Sequence, residues 1–174
     1  MKIATALPNI VILGIGNILL TDEGFGIRVI QALEMDYDFS ENVSVVDGGV
    51  RGIHLLGLIS EADHLVVVDA VCGNSKPGTL HRIEGEEIPE RIRRKNSLHQ
   101  LDFLEAMTYC HHGLDRMPGT VILGVEPQSI AAYRDELTPL IQARVMEMVQ
   151  RVLDEVLRLG GHYRPKRGVG CAAP

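Results

Sequence analysis

Hydrophobic residues in this chain alternate between two textures, short unbroken runs and longer stretches with helical spacing. Asn9 to Ile15 is almost wholly apolar, which predicts a strand covered on both faces. Ile27, Ile30 and Leu33 then recur on one stripe, predicting a helix from about Asp22 to Leu33. Val43 to Val46 reads as a second strand, closed by a turn at Asp47-Gly48-Gly49, and Arg51 to Ser60 as a short helix carrying Leu55, Leu56 and Ile59. His64 to Ala70 is a third strand, rich in valine until Asp69. A turn at Asn74 to Gly78 precedes an edge strand over Thr79 to Ile83, and the charged stretch 84–96 reads as a loop. Ser97 is placed to cap a helix with Leu101, Leu104 and Met107 on its stripe. Thr120 to Val125 is another buried strand. A final helix is expected from Thr138, its N-cap, to Leu159, with Pro139 at the first helical position and Gly160-Gly161 ending it.

Strands alternating with helices predict an α/β fold, three-layer α/β/α, with a twisted, mostly parallel sheet of about five strands flanked by helices. The expected unit is a single domain over residues 1–160. Residues 161–174 lack periodicity and are expected to form a mobile tail. A chain of 174 residues with 45% hydrophobic content has enough material for one well-filled core. Its net charge of −6 opposes general nucleic-acid binding, and the short basic run Arg91, Arg93, Arg94, Lys95 reads as a solvated loop. No segment reaches the roughly 18 apolar residues that a membrane span needs. The first residues lack a long apolar core, so no signal peptide is expected. Cys72, Cys110 and Cys171 are too scattered for a disulfide framework or a zinc knuckle. A cytoplasmic protein is the expectation.

Candidate chemistry concentrates where strands end. In an open α/β sheet, side chains just past the carboxyl ends of strands share one edge, where ligands bind. Asp22 and Glu23 follow the first strand, Asp47 the second, Asp69 closes the third, and Glu126 follows the last. Such carboxylates often only cap the next helix, and for Asp22 that bland reading is the stronger one. For Asp69, at the end of a buried strand, a specific partner is the better expectation. His99, early in the helix after Ser97, adds an imidazole. Glu23, Asp69 and His99 would together offer two carboxylates and a nitrogen, a set suited to a divalent metal with open positions. The neighbours Cys110, His111 and His112 point in different directions on a helix and read as its end. Leu19 stands where a dinucleotide fingerprint needs its third glycine, although Asp47 could still take a ribose. No phosphate-binding loop, His-Glu-x-x-His helix or Gly-x-Ser-x-Gly elbow is present. A receiver domain would need a lysine where Glu126-Pro127 stands.

Four blocks, in order, resemble the hydrogenase maturation proteases: Gly14-x-Gly16-Asn17-x-Leu19-x-x-Asp22-Glu23-Gly24-x-Gly26, Asp47-Gly48-Gly49, Val67-Val68-Asp69-Ala70, and Ser97-Leu98-His99-Gln100. The resemblance covers residues 9 to 158. It implies an endopeptidase that removes a short carboxyl-terminal extension from the large-subunit precursor of a nickel-iron hydrogenase. It also implies that Glu23, Asp69 and His99 contact nickel, supplied by the precursor, with other divalent ions able to substitute. Val50 departs from the threonine many relatives carry after Asp-Gly-Gly. No serine or cysteine sits beside an evident base, so the expected chemistry is metal-dependent hydrolysis, of aspartic or metallo type. Asp47 or a metal-ligand carboxylate would then assist proton transfer. A nucleotide-binding oxidoreductase domain and a non-catalytic, metal-dependent chaperone of the precursor stay open as alternatives.

Overall fold

A computed structural model of the chain describes residues 7–49, 55–85, 118–130 and 134–166. Strand β1 (Ile10–Ile15) leads through a 3-10 turn (Thr21–Gly24) into α1 (Phe25–Asp36). Then come β2 (Tyr37–Phe39), β3 (Val43–Gly49), α2 (Leu56–Glu61) and β4 (His64–Ala70). After β5 (Leu80–Glu84) and β6 (Gly119–Val125), two helices, α3 (Pro139–Gln142) and α4 (Val145–Arg158), precede β7 (Tyr163–Pro165).

The main sheet has five strands in the order β3-β1-β4-β6-β5, parallel except for β5 against β6. From β1 the chain moves outward to β3, then returns to lay β4 on the other side of β1. The strand order therefore reverses between β1 and β4, and the crevice outside their carboxyl ends is the expected ligand position.

Period-two alternation divides the sheet residues between two cores. Ile10, Ile12, Val66 and Val68 pack with Ile30 and Leu33 of α1 and Met148 and Val152 of α4. Val11, Leu13, Leu65 and Val67 pack on the opposite face with Leu55 and with Ile59 of α2. Helices on both faces explain why β1 and β4 read as continuous apolar runs instead of alternating ones. Among the described residues, no helix is long and apolar enough to cross a membrane.

Four expectations are corrected. The helix expected from Asp22 begins at Phe25, because Thr21–Gly24 winds as a separate 3-10 turn. Asp47-Gly48-Gly49 extends β3 instead of ending it: Asp47 pairs with Gly14 and Gly49 with Ile15, so Gly48 is accommodated as a bulge. The long last helix is interrupted at Ala143 and Arg144, where Arg144 N–H bonds Ile141 C=O, three residues back. Finally, Tyr163–Pro165, inside the stretch expected to be a mobile tail, pairs antiparallel with β2 in a small second sheet. Tyr163 stacks edge-on against Tyr37 at 5.5 Å, which gives this three-residue strand an aromatic anchor. The helix from Ser97, the loop over 84–96 beyond Gly85 and the basic run fall outside the described residues.

Candidate active site

The first glycine block is a packing device that brings a turn and a strand end together. A side chain on Gly26 would place its Cβ 2.2 Å from Val68 C=O and 2.3 Å from Ile15 C=O. Helix α1 thus starts in van der Waals contact with the ends of β4 and β1 at once. Gly16, with φ of 143°, would set a Cβ 1.9 Å from the carbonyl oxygen of Glu23. The backbone of Glu23 is therefore wedged against the turn that leaves β1. Both glycines are required by backbone neighbours that have nowhere to go.

Asp22 and Glu23 are adjacent and both buried, yet they differ in use. Asp22 is fully enclosed. Its Oδ2 accepts from Gln128 N–H at 2.9 Å, Ser129 N–H at 2.8 Å and Thr138 Oγ1–H at 3.1 Å, while Oδ1 accepts from Thr138 N–H at 2.7 Å. This carboxylate ties the loop after β6 and the start of α3 to the 3-10 turn. Asp22 does not cap the helix that follows it, as the bland reading expects; it holds the Thr138 amide at the start of α3 and two loop amides, all more than a hundred residues away. Thr138 is the N-cap residue of α3 as expected, but its hydroxyl turns to Asp22 instead of capping its own helix. Thr21 accepts a φ of 53°, uncommon for a β-branched residue, and its N–H bonds Arg134 C=O at 2.9 Å. The turn carrying Glu23 is thus clamped from both sides.

Glu23 follows β1 and is 2% exposed; Asp69 closes β4 and is 4% exposed. Asp69 Oδ1 accepts from the N–H of Ala70 at 2.7 Å. The 3-10 turn packs on β4, so both buried carboxylates belong to the elements that bound the β1–β4 crevice. Asp47 differs from them. It is exposed, and its register with Gly14 puts it on the α1 face, whereas Asp69, two residues from Val67, belongs to the α2 face. His99 lies outside the described residues. Among those described, no three His, Cys, Asp or Glu side chains converge as a metal set.

Residues 27–155 match the family model described as hydrogenase maturation protease. The chain belongs to the hydrogenase maturation protease family. It is 37% identical over 154 residues to the hydrogenase expression/formation protein HupD of Thiocapsa roseopersicina, covering 88% of this chain and 70% of that one. It is 33% identical over 162 residues to the hydrogenase 2 maturation protease of Escherichia coli, covering 92% and 98%. Among solved structures, the hydrogenase maturating endopeptidase HybD from E. coli superposes with a TM-score of 0.85 at 34% identity, over 91% of this chain and 98% of that chain. Membership makes the chain a hydrolase and disfavours the oxidoreductase and chaperone alternatives.

The sequence placed Glu126 among the acids that follow strands but gave no sign of its partner at the same sheet edge, His81. Glu126 is buried, and its Oε2 accepts from Gly73 N–H at 2.7 Å, with His81 Nε2 at 3.3 Å. His81 is the second residue of the antiparallel strand β5, and only that orientation brings the start of a strand to the carboxyl edge of its neighbours. A helix or parallel strand would have carried it elsewhere, so nothing short of the topology could single it out.

Proposed function

We propose that this chain removes a short carboxyl-terminal extension from the large-subunit precursor of a nickel-iron hydrogenase, after nickel is in place in that precursor. The observation that carries the reading is the pair of buried carboxylates, Glu23 and Asp69, on the two elements that meet at the topological switch point. Two such groups lower the electrostatic potential of a crevice and favour a divalent cation entering it. Together with His99 they make a mixed oxygen and nitrogen set that nickel accepts, and the precursor supplies the remaining ligands. In this reading the ion is cargo on the substrate that licenses cleavage.

Hydrolysis also needs two proton steps. An attacking water at the scissile carbonyl must lose a proton, and the departing amine must gain one. In this reading Glu23 or Asp69 takes the first. Asp47, exposed at the same sheet edge but on the other face, is suited to exchange protons with bulk water. No covalent intermediate is required. The test is to incubate nickel-loaded and nickel-free precursor with the protein and measure the mass of the precursor. Shortening confined to the nickel-loaded form is expected; equal shortening of both forms would refute the licensing role of the ion.

A further inference from the structure

We infer that Glu126 is a positioning residue for the reaction: it fixes the segment that follows Asp69, and so fixes the direction in which Asp69 is presented to the crevice. The inference rests on the protease reading above and adds a residue to it. Glu126 joins three pieces of chain. Its N–H donates to Thr79 C=O and its C=O accepts from Gly78 N–H, both at 2.8 Å, which fastens the end of the segment between β4 and β5. Its carboxylate reaches back to Gly73 N–H at 2.7 Å, which fastens the start. His81 Nε2 lies 3.3 Å from the same carboxylate oxygen and braces it from β5.

What lies between Gly73 and Asp69 is short and tightly packed. Val71 N–H donates to Val125 C=O at 2.8 Å. The Val71 side chain lies over Gly124, where a Cβ would come 2.5 Å from its Cγ2. Gly124 is the register partner of Asp69 on one side and of His81 on the other, so the three share one row of the sheet. A shift of Gly73 therefore passes through Val71 to the strand end that bears Asp69. Misplacing a catalytic carboxylate by about 1 Å can lower turnover a hundredfold. A buried carboxylate spent on one backbone amide and one imidazole, in this row, is suited to prevent that shift.

The test compares three variants in the full chain with the nickel-loaded precursor as substrate. Glu126→Gln keeps an acceptor of the same reach, whereas Glu126→Asp keeps the charge but falls short of Gly73 by one methylene. Glu126→Ala removes both. Expected are a kcat at least tenfold lower for the Asp and Ala variants with KM within twofold, near-wild-type kcat for Gln, and faster amide exchange at Gly73 in the two impaired variants. If Ala fails to fold, Asp and Gln still decide the matter. Unchanged kcat in the Asp variant, or a Gln variant as slow as Asp, overturns the inference. Cleavage by the wild-type protein in the same assay keeps the protease reading separate from this outcome.

Discussion

Replacing Asp22 with alanine should destabilise the fold, and the structure gives the magnitude. Four donors converge on its carboxylate, three of them backbone amides. Hydrogen bonds to a charged group contribute about 1.5–3 kcal/mol each. Gln128 is exposed, and Ser129 and Thr138 are half-buried, so their donors can recover water when the carboxylate is gone. That recovery lowers the simple sum to about 3 kcal/mol, a large share of a total stability of about 5–15 kcal/mol. Asparagine should recover little. It offers one acceptor oxygen where the carboxylate offers two, and its amide would face a donor. Urea unfolding followed by circular dichroism measures the loss, and an unchanged slope with a lower midpoint identifies it as native-state destabilisation. A loss under about 1 kcal/mol for Asp22→Ala would refute the clamp. The neighbouring Glu23→Gln should leave the midpoint nearly where it is and abolish cleavage, so adjacent acids should separate stability from activity.

Gly26→Ala drives a Cβ into two backbone carbonyls and should prevent folding or lower stability by more than about 3 kcal/mol, whereas Gly57→Ala, with open space and a helical position in α2, should gain up to about 1 kcal/mol; thermal unfolding distinguishes them. Glu155 gives a pH signature. Burial pushes its carboxyl up, but hydrogen bonds and attraction from Arg82, at 2.5 Å, and Arg158 together hold it below the ordinary 4.5. A carboxyl depressed by folding stabilises fully above its unfolded value and loses that contribution as pH falls through the folded one. Stability should therefore drop below about pH 4.5, and Glu155→Gln should flatten that part of the profile. Asp47→Asn should lower kcat without moving the unfolding midpoint, since its side chain is exposed; an unchanged kcat would remove it from the proton path.

How much could be read in advance depended on how local each cause was. Strands β1, β4 and β6 were legible because burial on both faces leaves an unbroken apolar run, a signal held within a few residues. The location of Glu23 and Asp69 at one sheet edge was legible because a sheet with helical crossovers has one such edge, and acids following strands must lie along it. The break at Ala143-Arg144 was not, as neither residue is a helix breaker. Strands β2 and β7 were also hidden, since three residues show no period. Asp22 and Glu126 were seen as acids, but their partners, Thr138 and Gly73, lie 116 and 53 residues away. Only the closed topology brings them within reach.

The most direct test of the central claim is the cleavage rate of nickel-loaded precursor by Glu23→Gln, Asp69→Asn and His99→Ala, each first shown to be folded. Loss of cleavage in all three, with retained unfolding midpoints, is the predicted result. Wild-type cleavage by any one of them would mean that the three side chains do not share one ion.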